Sequence, residues 1–419
     1  MLQQPAIVPV IVQQHAEDAA VLHATRTALV TAAHVKLHHL RRCDDRLAAH
    51  LDGLSVAGED VLEICAAALE TPSAGAAFVA AVQALELRRQ DWVQRLVVLA
   101  ATVPECSAGL RSAFGWLQRD RLRGVVAELL GSAEADRRVT GIAASAMHRV
   151  DPGLIVARRL DDADPGVRAR ALRTAGELGK AELVSTLAAI EDADPACQFW
   201  AAWSAVLLGD REVALEFLMS AAAVPGPLQP RAFQLVLQAL PVNAAHDYLR
   251  GLAADPANAR RLMRGAGLTG DPSYIPWLIG HMTDDKIARL AGESFSTITG
   301  LDLALLDLER KPPENLETGP NDDPEDANVD MDPDDGLPWP EQGLVQAWWS
   351  ANGARFAAGT RYFMGAPVTR GHCIEVLKNG YQRQRIAAAY HLCLSHPGTQ
   401  LFEWRAPAWR QSQELARLA

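Results

Sequence analysis

The sequence predicts an all-α solenoid of short helical repeats, interrupted by one long acidic, proline-rich loop and closed by an aromatic-rich helical cap. Three observations predict it. Asp-Pro pairs recur with a period near 30 residues, small apolar residues follow them at helical spacing, and glycines close each stretch. The composition agrees: 419 residues, 49% apolar and 22% charged, supply a large core and exclude wholesale disorder.

In chain order, residues 1–55 read as an N-terminal helical region. Its apolar opening, Ile7 to Val12, is broken by Pro9, lacks a basic flank and is too short to span a bilayer, so neither a secretory signal nor an anchor is expected. The repeat array follows at 56–311. Asp164-Pro165 leads to Val167, Ala171, Leu172, Ala175, Gly176 and Gly179. One period later comes Asp194-Pro195 with Trp200, Ala201, Ala205 and Gly209, and Asp255-Pro256 leads to Gly267 and Gly270. The copy between them falls on Pro225-Gly226 to Leu240, and one without proline begins at Asp284-Asp285. Upstream, Asp136 to Met147 is a looser copy, and 61–85 and 107–130 carry similar apolar spacing.

A period of about 30 residues accommodates two helices of about 11 or 12 residues and two turns. Aspartate as N-cap before proline starts a helix for a physical reason: the carboxylate accepts orphan amide hydrogens and proline has none to lose. Alanines four apart, such as Ala171 and Ala175 or Ala201 and Ala205, let neighbouring helices approach closely. Gly179, Gly209 and Gly270 suit helix C-termini. One such pair cannot bury its apolar face alone, so copies must stack.

Residues 312–341 form the acidic loop. They hold eleven carboxylates, seven of the 24 prolines and no Lys or Arg; removing them turns a net charge of -11 into 40 basic against 40 acidic residues. Proline at that density excludes a continuous helix or a central strand. Residues 342–419 form the expected cap, and the stretch from Trp339 to Trp409 holds eleven of the chain's 24 aromatics.

Two resemblances follow from these residues. Asp164-Pro165-Gly166-Val167-Arg168-Ala169-Arg170-Ala171-Leu172 resembles a HEAT-type repeat. The runs His148 to Gly153, Phe199 to Asp210, Gly319 to Asp326, Leu337 to Pro340 and Arg405 to Ala408 are similar to an uncharacterised bacterial family of HEAT-like proteins associated with type VI secretion gene clusters, near spike-tip and effector-loading components. That resemblance implies cytoplasmic adaptor or accessory work, and it carries no catalytic or ligand residues to transfer.

No catalytic motif stands out. Gly292-Glu293-Ser294-Phe295-Ser296 starts like a nucleophile elbow but ends in serine where the sharp turn needs glycine. No catalytic residue, cofactor or metal is expected. His34, His38, His39 and Cys43 have helical spacing that could present zinc ligands, but Arg41 and Arg42 add repelling charge. Asp330, Asp332, Asp334 and Glu341 follow a calcium-loop pattern, yet Asp335 stands where glycine is required and prolines stiffen the segment. The six cysteines are too widely spaced along the chain for a zinc pair or a dense disulfide framework, which fits free thiols in a reducing cytosol. Arginines punctuate the repeats, at 121, 123, 137, 138, 168, 170, 173, 260, 261 and 264, but adjacent carboxylates cancel much of their field.

The expected function is non-catalytic protein binding: a cytoplasmic adaptor or chaperone-like factor for a type VI secretion effector or spike-tip protein, without membrane or nucleic-acid contact. The candidate partner-binding residues are Asp322, Asp323, Glu325, Asp326, Asp330, Asp332, Asp334 and Asp335 in the loop, with Trp339, Trp348 and Trp349 after it. A dense carboxylate run repels itself, and a basic partner or the chain's own arginine-rich helices would relieve it. The alternatives are an immunity protein that neutralises a basic toxin through this loop, and a nucleic-acid-binding repeat protein.

Overall fold

The computed structural model describes residues 8–314, 319, 325 and 331–418. Among the described residues there are 22 α-helices and one two-stranded hairpin, Tyr362–Phe363 paired with Ala366–Pro367, so the chain is all-α in class. Two compact units divide it. The first comprises Met1–Thr31, Val35–Asp210 and Pro397–Ala419; the second comprises Ala32–His34 and Arg211–His396.

In the first unit the helices Ala74–Glu86, Pro104–Trp116, Ala135–Met147, Pro165–Glu177 and Pro195–Leu207 stack in sequence order. Their even spacing along the chain is the period that the Asp-Pro pairs predict. Asp164 accepts from the Val167 amide at 3.0 Å, and Asp194 from Ala196 and Cys197 at 2.9 and 3.0 Å, so both act as N-caps before proline. Ala171, Ala175, Ala201 and Ala205 have no exposed surface, and helices in such close contact bring the Ser204 hydroxyl to the Leu172 carbonyl at 2.7 Å.

Most of the companion helices fall short of the expected length. Gln90–Thr102 is full length, but Val125–Leu130, Ile155–Arg158 and Val184–Ala188 have six, four and five residues. Turns take up the difference: before Ile155–Arg158, Asp151 accepts from the Gly153 amide and Gly153 adopts φ 68°. So short a helix persists because Val156 is fully buried beneath it.

No boundary falls at residue 55. Helices Pro9–Leu29 and Leu37–Ser55 pack on each other and the former on Ala74–Glu86, and one apolar core runs from Val12 through Leu47, Phe78 and Phe114 to Ala144.

In the second unit, Gln229–Ala239, Ala259–Thr269 and Ala288–Thr299 stack in order, with Val213–Ala223, Val242–Leu252 and Ile275–Gly280 beside them. Asp255-Pro256 opens a 3-10 turn, with Asp255 accepting from Ala257 at 2.9 Å, before the helix begins at Ala259. The region from 342 onward, expected as one cap, is divided between the units at His396. The reason is burial: Leu401, Phe402, Trp404, Ala406 and Ala408 expose 6% or less and belong to the first unit.

Candidate protein-binding surfaces

The acidic loop closes at its neck. Arg310 N donates to the Trp339 carbonyl and Glu341 N to the Leu308 carbonyl, both at 2.8 Å, around the Glu309–Pro340 bridge. Asp322, Asp323, Asp326 and Asp330 lie outside the described residues. Glu325 and Asp335 are exposed. Asp332 and Asp334 turn inward. Arg289 Nη1 donates to Asp332 Oδ2 at 2.7 Å and to the Asp334 carbonyl at 3.0 Å; Arg260 Nη2 donates to Asp334 Oδ1 at 2.6 Å; Arg383 Nη2 donates to the Pro333 carbonyl at 2.9 Å.

This repeats a motif from the array. Arg138 forks onto Asp162 at 3.1 and 2.8 Å, and Arg168 onto Asp192 at 2.7 and 2.9 Å; in each, the same aspartate accepts from the amide two residues on, Asp164 or Asp194. Asp332 accepts from Asp334 N in the same way at 2.9 Å. The loop therefore gives the last stacked helix of the second unit the aspartate turn that a following repeat would supply. Asp332 and Asp334 are engaged by the chain's own arginines, one of the two kinds of basic group expected to relieve the loop's self-repulsion. Among the described residues no group of three or more His, Cys, Asp or Glu is placed to hold a metal ion. In the His34 to Cys43 stripe, His39 Nδ1 accepts from Lys36 N and Cys43 is buried against the Leu22 carbonyl.

Trp339 is 9% exposed, with the Arg289 and Arg310 guanidiniums 4.7 and 5.1 Å from its ring. Trp348 meets Phe295 edge-on at 5.9 Å and Trp349 packs on Phe356 at 5.6 Å; both are half-buried. Replacing Arg289 with alanine is expected to loosen this anchor by about 1.5–3 kcal/mol, the range for hydrogen bonds to charged groups. Faster proteinase K cleavage within 331–341, mapped by mass spectrometry, checks it.

The arginine–aspartate ladder was not the only feature that sequence reasoning left unread. In the first unit the C-terminal segment lies across the ends of the stacked helices. Leu401 N donates to the Glu177 carbonyl at 3.0 Å, Arg149 Nε to the Leu401 carbonyl at 2.5 Å, and Arg149 pairs with Glu403 at 3.1 Å. Arg26 Nη2 donates to the Arg405 and Ala406 carbonyls at 3.0 and 2.9 Å, and Asp44 accepts from Ala408 N at 2.6 Å. Most of these bonds address main chain, so they hold this non-helical segment, which turns at 404–406, with little regard to its side chains. Helix Ala408–Leu418 follows and, with residues 118–120 and 147–149, encloses a cleft of about 650 Å³ that contains Arg119, His148, Arg149, Glu403, Arg410 and Glu414.

Electrostatics in this unit depend on burial. Burial opposes ionisation of Glu177, yet Arg170, Arg173 and Arg149 hold its carboxyl down at about 2. Burial, reinforced by Arg410, lowers His148 to about 4, and burial with Arg26 lowers His23 to about 4. Both imidazoles are neutral in the fold and take protons near 6.5 once unfolded. Their contribution is therefore complete above pH 6.5 and lost as pH falls toward 4, on the order of 3 kcal/mol each. Denaturant titrations from pH 7.5 to 4.5 are expected to show falling stability, with a shallower slope in His148→Gln.

Residues 154–233 match the family described as HEAT repeats. No curated protein and no solved structure matches the chain. That stretch is HEAT-like, and among the described residues no helix is long and apolar enough to cross a membrane.

Proposed function

We propose that this chain is a non-catalytic protein-binding scaffold. HEAT repeats generally serve as protein-interaction scaffolds, and stacked repeats spread recognition over several copies. The observation that carries the reading is the edge of the first unit that holds the non-helical segment 399–407 by its main chain: Arg26 and Arg149 donate to its carbonyls, and the Glu177 carbonyl accepts from the Leu401 amide, with Asp44 accepting from Ala408 N at the start of the helix that follows. Such an edge suits capture of protein segments through their main-chain groups.

The finer proposal is a cytoplasmic adaptor or chaperone-like factor for a type VI secretion effector or spike-tip protein. Its support is the sequence resemblance at His148 to Gly153, Phe199 to Asp210 and the loop runs. Affinity purification of the tagged chain from its native cells, followed by mass spectrometry, tests it. Recovery of an effector or spike-tip protein with its activity intact is the expected result. Recovery of a toxin whose activity the chain abolishes would favour the immunity alternative, and recovery of no secretion component would overturn the adaptor reading.

A further inference from the structure

The helix-end edge of the first unit repeats a single backbone device. After each of four stacked helices the chain turns through a left-handed residue whose amide bonds back three residues while the next amide bonds back five. The left-handed residues are Arg88, Arg149, Gly179 and Gly209, with φ 56°, 52°, 69° and 114°. The paired bonds run from Arg88 to Leu85 and Arg89 to Ala84, and from Arg149 to Ala146 and Val150 to Ser145, at 2.9 to 3.2 Å. Glycine is the ordinary occupant of such a position; arginine there carries backbone strain.

At Arg149 that strain is offset, because the side chain grips the Leu401 carbonyl and the Glu403 carboxylate. Arg88 stands in the same backbone position two repeats earlier. It is exposed, and among the described residues its side chain makes no hydrogen bond or ion pair. It lines a cleft of about 440 Å³ with Arg121, Arg123, Asp120 and Val93. Arg121, also exposed, pairs with Glu86 at 3.1 Å, which leaves Arg88 and Arg123 as the arginines of this cleft with no ion-pair partner among the described residues. Asp120 also lines the larger cleft beneath the C-terminal helix, so the two clefts are neighbours.

We propose that the cleft at Arg88, Arg121 and Arg123 is a docking site for an extended acidic segment of a partner protein, read as Arg149 reads the chain's own Leu401 to Glu403: one main-chain carbonyl and a carboxylate two residues on. Charge complementarity and the internal template favour a peptide. Nucleic acid would also meet the arginines, but it does not present a carbonyl and a carboxylate at the two-residue spacing that Arg149 reads. The inference rests on the scaffold reading and names the segment such a scaffold takes.

The test is fluorescence anisotropy with the full chain and a labelled Gly-Ser-Leu-Ser-Glu-Ser-Leu-Ser-Glu-Ser peptide, at 50 and 200 mM NaCl, beside a labelled single-stranded DNA 20-mer. Saturable peptide binding that weakens with salt, and falls at least tenfold in Arg88→Gly and in Arg123→Ala, is expected. Arg88→Gly should also melt at a higher temperature than the parent, since glycine relieves the left-handed strain; Arg149→Gly should melt lower. A residue kept for folding alone would not show that loss of binding with a gain of stability. The proposal is overturned by unchanged peptide binding in Arg88→Gly, by no peptide binding at 50 mM NaCl, or by DNA binding more tightly than peptide. Any of these, with partner recovery from cells intact, removes the docking site and leaves the scaffold reading standing.

Discussion

Replacing Asp44 with alanine is expected to destabilise the first unit by about 3–5 kcal/mol, the cost of stranding one partner of a buried ion pair. Arg26 Nε donates to Asp44 Oδ1 at 2.6 Å, with the two side chains 10% and 2% exposed. Burial raises the Asp44 carboxyl above its ordinary value, and the Arg26 guanidinium and the Ala408 amide oppose that rise. Without the carboxylate, Arg26 keeps the Arg405 and Ala406 carbonyls and the Trp116 ring, none of which carries a compensating charge, and the Ala408 amide loses its acceptor. Hydrogen exchange should accordingly rise across 397–418 together with the fall in denaturation midpoint. Asp44→Asn, which keeps an acceptor but no charge, should lie between the parent and Asp44→Ala. The paired change Arg26→Met with Asp44→Leu should recover much of the loss, because it removes both charges. Unchanged exchange across 397–418 in Asp44→Ala would show that this pair does not hold the segment.

The second large effect is expected at Gly179. A Cβ there would collide with the Gly398 carbonyl oxygen, and the backbone has φ 69°. Left-handed strain alone costs about 1–2 kcal/mol, and the C-terminal segment must also retreat, so Gly179→Ala should lose about 3 kcal/mol or more. Gly153→Ala is the control: its φ is 68°, but nothing lies within 4 Å of the added carbon. Thermal melts of the two variants separate strain from collision. Equal losses would mean that the segment yields freely, and the account of a tightly held edge would fail.

The repeat was legible because its signals are local. Asp164 and Asp194 cap their helices through amides two or three residues away, and the alanines four apart in each helix face a neighbour whatever that neighbour is. The short companions were not legible, since Ile155–Arg158 is held by burial of Val156 rather than by its own length. Of the candidate site, the acidic loop was found as a charge excess, but its division was hidden. Asp332 and Asp335 look alike in the chain; one meets Arg289, 43 residues away, and the other is exposed. The spacing of Arg138 to Asp162 and Arg168 to Asp192, 24 residues in both, was the available signal for the arginine–aspartate ladder.

Composition and the regular return of the Asp-Pro pairs were enough to define the class of this protein, because helix starts, helix ends and close helix contact are set by residues within one or two turns of each other. The return of residues 397–418 to the first unit was decided in three dimensions. It depends on Arg26, Asp44 and Arg149 reaching main-chain groups that are 252 to 380 residues away, and a main-chain donor or acceptor leaves no mark in the order of side chains.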